Sequence, residues 1–253
     1  MRKLHLVYFS PNHTTEKVIH ASNQKLQFEV VSHNFTTSFQ AFTPDIDDIV
    51  FIASPVYSGR VPDLFNQRLA GIKGQHNLSI VFVVYGNRAY DDALLELKTL
   101  AERQKLKVVG AIAAIGQHSL VLNVAKNRPN QTDLEQIADL SFDIINNLYN
   151  FKLNNQLHIP GKKVHSKAKR LSLTPYANDN CVHCNKCVEA CPSHAIDQDH
   201  FIHPNPKLCI GCLACVNVCQ HNSRTLSKAK AIPISFAIEL ASLKPKNIES
   251  FKL

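Results

Sequence analysis

All eight cysteines of this 253-residue chain lie between Cys181 and Cys219, in two repeats of one spacing. The repeats, CVHCNKCVEACP and CIGCLACVNVCQ, both follow the pattern C-x2-C-x2-C-x3-C. Three closely spaced thiolates can ligate three corners of one iron–sulfur cubane, and the fourth thiolate of each repeat reaches the other cubane. The spacing therefore predicts two [4Fe–4S] clusters, one held by Cys181, Cys184, Cys187 and Cys219, the other by Cys209, Cys212, Cys215 and Cys191.

Three other uses of these cysteines fit the sequence less well. Disulfides are rare in cytosolic proteins, and the first residues, MRKLHLVYFS, are predicted to form a β-strand rather than a signal peptide. Structural zinc uses two separated C-x2-C pairs and would leave the third cysteine of each repeat unexplained. A redox dithiol needs only two cysteines. His183 and His194 lie beside ligands but occupy no ligand position.

The formal charge of +8 admits nucleic acid as a partner. Each oxidised cubane with its four thiolates carries about two negative charges, so two clusters lower the net charge to about +4. We therefore expect no nucleic acid partner. No apolar run approaches the length that crosses a bilayer, so we predict a cytoplasmic protein without a membrane span.

The residues before the cysteines alternate between apolar runs and amphipathic segments. The clearest helices are predicted at Asp91–Leu106 and Thr132–Lys152, with Thr132 as the N-cap and Glu135 completing a capping box. Compact apolar runs predict the five strands of a buried parallel sheet, in a doubly wound α/β domain with strand order 2-1-3-4-5. These runs are Lys3–Phe9, Gln27–His33, Ile49–Ala53, Leu78–Tyr85 and Val108–Ile115.

The pattern divides the chain into four parts. The α/β domain is predicted at residues 1–153 and the cysteine domain at residues 178–226. Residues 154–177 are polar and basic, which predicts a linker over the surface, with a patch for an acidic partner as the alternative. Residues 227–253 form a tail whose role the sequence does not reveal.

Two loops of the α/β domain have the residues of a ligand site. In sheets of this kind, ligands bind at the carboxyl ends of the strands, around the first and third. The loops Ala53–Asp63 and Tyr85–Leu97 follow the predicted third and fourth strands, and each combines a glycine, a tyrosine and exposed backbone amides. These groups suit a planar heteroaromatic ligand, because aromatic faces hold its ring and main-chain groups meet its polar edge.

The motifs SPVYSGRVP, YGNRAYDDALLEL and AIGQHS, together with the cysteine repeats, resemble the family in which a flavodoxin-like domain is fused to a two-cluster ferredoxin. The resemblance extends from Lys3 to about Arg224, and it departs at Gln220, where the second repeat usually has proline. It implies a flavodoxin-like doubly wound parallel five-stranded sheet and a small α+β two-cluster ferredoxin domain. It also implies FMN, with electrons passing between the flavin and the clusters.

The resemblance also implies residues for the isoalloxazine ring of FMN. Tyr57 and Tyr90 are the candidates for stacking on the ring, with packing against the sheet edge as the alternative. His118 matches the HS pattern of the family and is expected to be an ordinary loop histidine. The residues expected around the ring are Pro55, Val56, Tyr57, Ser58, Gly59, Tyr85, Gly86, Asn87, Arg88, Tyr90 and Asp91.

The loop after the first strand departs most from the family. Flavodoxin phosphate loops resemble [ST]-x-T-G-x-T, whereas this chain reads SPNHTT, with Asn12 for threonine and His13 for glycine. Glycine lets the backbone approach a phosphate closely, although histidine tolerates positive φ better than most residues. We expect FMN to bind more weakly or with pH-dependent affinity. The expected phosphate contacts are Ser10, Asn12, His13, Thr14 and Thr15.

The leading hypothesis is an electron-transfer flavo-iron–sulfur protein that couples two-electron flavin chemistry to one-electron clusters. Its partners would be a redox protein or a small electron donor or acceptor. Two alternatives stay open: a flavin-dependent reductase of a small substrate that the clusters feed, and a ferredoxin whose first domain has lost FMN and acts as a docking module. The sequence contains no Ser-His-Asp, G-x-G-x-x-G or paired-carboxylate pattern that indicates a separate catalytic centre.

Overall fold

The computed structural model describes residues 2–147, 156–162, 173–197 and 199–253. The α/β part contains β1 (Lys3–Tyr8), α1 (Thr14–Ala21), β2 (Glu29–Asn34), β3 (Ile49–Pro55), α2 (Asp63–Leu69), β4 (Leu78–Tyr85), α3 (Ala93–Arg103), β5 (Lys107–Ile115) and α4 (Gln131–Asn146). The rest contains β6 (Tyr176–Ala177), α5 (Lys186–Glu189), α6 (Ala214–Asn217), β7 (Arg224–Thr225), α7 (Lys228–Ala241) and β8 (Glu249–Lys252).

The main sheet has the strand order β2-β1-β3-β4-β5-β8. Its first five strands are parallel and follow the flavodoxin-like order 2-1-3-4-5, so the predicted fold class is confirmed. The sixth strand, β8, pairs antiparallel with β5, with Gly110 opposite Lys252. Part of the tail of unknown role is therefore an edge strand of the α/β domain, and the sheet has six strands rather than the predicted five.

Helices cover both faces of the sheet, which explains the nearly continuous apolar runs of its strands. On one face Phe9 packs with Phe65 and Leu97, and on the other Leu4 packs with Ile19. The predicted linker is not confined to the surface, because Leu157 and Ile159 are buried in the first of these clusters. Residues 163–172 of that linker lie outside the described residues.

Helix α4 begins earlier than predicted. Its N-cap is Asn130, whose side chain accepts the N–H of Asp133, while the carboxylate of Asp133 accepts the N–H of Asn130. The predicted cap at Thr132 with Glu135 is therefore wrong, because Asn130 and Asp133 form the capping box two residues earlier. Residues 148–152 of the predicted helix lie outside the described residues.

The cysteine-rich region consists of two short helices, α5 and α6, and an antiparallel ribbon of β6 and β7. This is the small α+β unit that the resemblance implies. Among the residues that the structure describes, no helix is both long and apolar enough to cross a membrane.

Candidate functional site

A cavity of about 430 Å³ opens at the carboxyl ends of β1, β3, β4 and β5. Its volume lies in the range of small-molecule and cofactor sites. All three predicted loops line it, together with the loop after β5, which contributes Gly116, Gln117, His118 and Ser119. The predicted cofactor residues in its wall are Ser10, Asn12, Thr14, Thr15, Pro55, Val56, Tyr57, Ser58, Gly59, Tyr85, Gly86 and Arg88.

One end of the cavity is suited to a phosphate. Helix α1 begins at Thr14, and Thr14 and Thr15 line the cavity, where the positive end of the helix dipole favours an anion. Ser10 orders this turn, because its hydroxyl accepts the N–H of Glu16 at 3.0 Å and its own N–H donates to Thr36 Oγ1 at 2.8 Å.

His13 lies outside the cavity lining. It is the N-cap of α1 with φ of 59°, so it adopts the left-handed conformation that glycine adopts without strain. Its imidazole is exposed, and Nδ1 is 2.8 Å from Glu16 Oε2. The structure therefore gives His13 the backbone role of the missing glycine and directs its side chain to Glu16 rather than to the ligand site.

The other end of the cavity is suited to a planar ring with a polar edge. Tyr57 and Tyr85 line it, and the hydroxyl of Tyr85 is buried with no hydrogen-bond partner in the described part of the chain. Desolvation raises the pKa of Tyr85 to about 12, so this hydroxyl keeps its proton and can donate to a ligand. Buried polar groups are almost always hydrogen-bonded, so the lone hydroxyl fits a site that holds a cofactor.

The expectation of an ordinary loop histidine understates His118. Its Nδ1 accepts the N–H groups of Leu120 and Val121 at 3.1 and 3.2 Å, so the neutral ring carries its proton on Nε2. Desolvation lowers the pKa of His118 and favours this neutral form. A Cβ on Gly86 would lie 2.4 Å from His118 Cδ2, so only glycine allows the two loops to pack this closely. His118 thus contributes a fixed N–H donor to the cavity wall.

The three remaining predicted ring residues, Asn87, Tyr90 and Asp91, support the wall from behind. The Asn87 amide donates to the carbonyls of Ser242 and Lys244, at 2.9 and 3.1 Å, and thereby fixes the segment that leads to β8.

Tyr90 also binds this segment, because its hydroxyl donates to Glu249 at 2.7 Å. Its ring contacts Tyr85 edge-on, with 5.3 Å between centroids. Asp91 pairs with Arg88 and lies so close to Gly59 that a Cβ there would be 2.2 Å from Asp91 Oδ2. Tyr57, but not Tyr90, is therefore in position to contact a ring in the cavity.

Four cysteines from both repeats line a single small cavity. They are Cys191, Cys209, Cys212 and Cys215, the set that the sequence predicts for one cluster. All eight cysteines are free, and a set of four thiolates suits iron–sulfur ligation. Within the described ranges, no three His, Cys, Asp or Glu side chains are grouped to hold a single metal ion, so the fit rests on the shared cavity and the thiolate donors.

Burial affects the thiols of this set strongly. Desolvation raises the pKa of Cys212 to about 12, and it also raises the pKa of Cys215. These thiols stay protonated at neutral pH until a metal displaces the proton, so cluster binding releases protons. Ala195 and Ile196 pack beside them and limit the access of water.

The other predicted set is more exposed to solvent. Cys184 is exposed, whereas Cys187 is buried and accepts a hydrogen bond from Arg224 Nη2 at 3.3 Å. Cys219 Sγ lies 3.1 Å from Ser223 Oγ. Desolvation acts to raise the pKa of Cys219, but hydrogen bonds from Ser223 and neighbouring backbone groups outweigh it and lower this pKa to about 7.

The two sites adjoin each other. A cleft of about 130 Å³ is lined by Val56, Tyr57 and His118 of the α/β domain and, on the cysteine side, by Ile210 and Leu213. Tyr57 and His118 also line the large cavity, whereas Ile210 and Leu213 also line the cysteine cavity. The same few side chains therefore separate and connect the two cavities.

Comparison with known proteins identifies the cysteine-rich region. Residues 180–223 match the family model of the 4Fe-4S dicluster domain. This segment is a 4Fe-4S dicluster domain. It matches a polysulfide reductase subunit of Wolinella succinogenes with 32% identity over 62 residues, which are 23% of this chain and 32% of that protein. The match thus spans only about a third of the length of that relative.

Solved structures similar to the α/β part include a flavodoxin from the domain Archaea, with 14% identity and a TM-score of 0.41 over 58% of this chain and 99% of that chain. Oxidised flavodoxin 1 from Bacillus cereus has 16% identity and a TM-score of 0.43 over 58% of this chain and 99% of that chain. The strand order itself defines the fold as flavodoxin-like. The chain therefore joins a flavodoxin-like domain to a dicluster domain, as the sequence predicts, and this combination indicates electron transfer.

Proposed function

We propose that this protein transfers electrons between FMN, held by the flavodoxin-like domain, and two [4Fe–4S] clusters of the dicluster domain. The observation that carries the proposal is the adjacency of the two cavities, since Tyr57 and His118 border both the large cavity and the cleft that reaches Ile210 and Leu213. A flavin exchanges two electrons and a cubane one, so the pair would connect two-electron and one-electron carriers.

The residues of the chain would bind and orient the flavin. The first turn of α1, with Thr14 and Thr15, would receive the phosphate, where backbone N–H groups and the helix dipole stabilise negative charge. Tyr57 would contact the ring, and Tyr85 Oη and His118 Nε2 are protonated donors that could meet its polar atoms. The dicluster domain would limit the access of water to the side of the ring at Tyr57.

The cleft favours a second candidate, a reductase for a small substrate. Its volume of about 130 Å³ is close to that of cavities that hold a single aromatic ring. A small cyclic carbonyl compound there could accept a hydrogen bond from His118. Reoxidation of the photoreduced protein by 1,4-benzoquinone would then slow strongly in His118→Ala, whereas reoxidation by a large carrier protein would not.

Acid extraction of the anaerobically purified protein tests the main proposal. We expect about one FMN and about eight irons per chain, since each cubane contains four. About eight irons with no FMN, even after incubation with excess FMN, would instead support a docking module. Zinc in place of iron would overturn the cluster assignment.

A further inference from the structure

The two predicted cluster sites differ in how they contact the flavodoxin-like domain. We name the set Cys191, Cys209, Cys212 and Cys215 the near site and the set Cys181, Cys184, Cys187 and Cys219 the far site. At the near site, Asn12 Nδ2 donates to the backbone carbonyl of Cys212 at 2.8 Å. Asn217 Nδ2, on the helix that carries Cys215, donates to Asn12 Oδ1 at 2.8 Å. Asn12 and Asn217 both line the large cavity.

Arg68 makes a second attachment to the near site. Its guanidinium is buried and donates to the carbonyls of Phe35 and Thr36 in its own domain. The same group donates to the carbonyl of Pro192, the residue after Cys191, at 2.8 Å. The ligand loops of Cys191 and Cys212 are therefore both fixed to the domain that contains the large cavity.

The far site is connected differently. The side-chain hydrogen bonds around it stay within the dicluster domain, from Arg224 to Cys187, from Lys186 to Gln220, and between Ser223 and Cys219. Cys184 is exposed, and the neighbouring Val182 exposes 57% of its surface. The far site thus combines contact with solvent and an apolar surface.

We propose that the near cluster is the one that exchanges electrons with the flavin, and that Asn12 is the positioning residue that holds its Cys212 loop against the flavin site. The inference rests on the proposed function and adds the order of the carriers. A one-electron carrier protein that docks at Cys184 is oxidised as it reduces the far cluster. The far cluster passes that electron to the near cluster, from which it reaches the flavin, and a second electron follows by the same route with protons from solvent.

This role also explains why the loop has asparagine where flavodoxin loops have threonine. A threonine side chain is shorter than asparagine and lacks an amide, so it could not donate to Cys212 and accept from Asn217 in the same way. Asn12 therefore connects a residue in the wall of the flavin cavity with the backbone of a cluster ligand. Occupation of the cavity should then affect the near cluster more than the far cluster, and the effect should be reciprocal.

The test records electron paramagnetic resonance spectra of the anaerobic, cluster-loaded full chain with and without FMN. Cys184→Ser alters the far cluster and so assigns the two spectra. Asn12→Ala removes both hydrogen bonds, and Asn12→Gln retains an amide as the conservative variant. Gln220→Ala is the matched control, because it removes the 2.6 Å hydrogen bond from Lys186 at the far site.

We expect FMN to change the near-cluster spectrum in the wild type, in Cys184→Ser and in Gln220→Ala. In Asn12→Ala the change should be smaller and FMN should bind about fivefold more weakly, as loss of a hydrogen bond predicts, with partial recovery in Asn12→Gln. A change confined to the far cluster, or a wild-type response in Asn12→Ala, would overturn the inference. FMN binding without any near-cluster change defeats this inference alone, whereas no FMN binding defeats the proposed function as well. If Asn12→Ala does not fold, the Cys184→Ser comparison still decides which cluster responds.

Discussion

The cysteine repeats and the phosphate loop carry out their proposed tasks with different parts of the chain. Thiolate sulfurs are themselves the ligands, so each cysteine is required at its position and the C-x2-C-x2-C-x3-C spacing is complete in both repeats. In the SPNHTT loop, backbone geometry and the start of α1 form the site. His13 takes the left-handed conformation of a glycine, and Asn12 binds the other domain. A site built from side chains preserves its motif, whereas one built from backbone can reuse its side chains.

Loss of a thiolate should have the largest effect. Cys215→Ala removes a ligand of the near site, so the iron content should fall from about eight to about four per chain. Thermal stability should fall as well, because cluster binding contributes to folding. Iron and FMN analysis after anaerobic purification measures this, with His194→Ala as the control beside a ligand. An unchanged iron content would contradict the assignment of Cys215 as a ligand.

Loss of the buried attachment at Arg68 should have the next largest effect. Arg68→Ala leaves the buried carbonyls of Phe35 and Pro192 without this donor, which should cost about 3 kcal/mol of unfolding free energy. Urea denaturation of the cluster-loaded protein measures the loss. Arg103, which is exposed on α3, provides the control, and Arg103→Ala should change the stability by less than about 0.5 kcal/mol. Equal losses in the two variants would show that the Arg68 attachment contributes little.

Sequence patterns predicted the features that depend on residues close in the chain. The five parallel strands follow from apolar runs such as Leu78–Tyr85, and the cluster ligands follow from their spacing. Strand β8 could not be predicted, because the four residues Glu249–Lys252 have no distinctive pattern and become a strand by pairing with β5.

The contacts of the candidate site between distant residues were equally hidden from the sequence. The partner of Asn12 is 200 positions away, so the loop could be recognised as atypical but not explained. Tyr90 has the aromatic ring that the flavin prediction required, yet its position is set by Glu249 on the edge strand. Local motifs therefore indicated which loops form the site, and tertiary contacts determined which side chains line it.

Acid should reveal a histidine whose side chain matters for stability. His33 stacks on Phe42 with 3.9 Å between centroids, and its Nε2 is 2.9 Å from His5 Nδ1. Desolvation, and then the charge of His5, lower the pKa of His33 to about 4. The unfolded chain binds the proton near pH 6.5, so this contribution is complete above that pH and is lost as the pH falls towards 4.

The loss should be about 2 kcal/mol of unfolding free energy between pH 6.5 and 4.5. His33→Phe retains a ring against Phe42 but cannot titrate, so its stability should depend less on pH over this range. Denaturation curves at several pH values measure the difference. If the wild type and His33→Phe lost stability in parallel, the buried neutral His33 would not be the cause.

Replacement of His13 should have the smallest effect, although His13 is the most conspicuous departure from the flavodoxin loop pattern. His13→Gly keeps the φ of 59° and relieves the strain of a side chain there, while it removes only an exposed ion pair with Glu16. FMN affinity should therefore change by less than about threefold, equivalent to about 0.7 kcal/mol, and should stay nearly constant from pH 6 to 8. Isothermal titration with FMN measures this, and Asn12→Ala provides the contrasting larger change. A strong pH dependence in the wild type that disappears in His13→Gly would show that the imidazole acts on the phosphate after all. Glycine at this position would then have been replaced for its charge rather than tolerated for its backbone conformation.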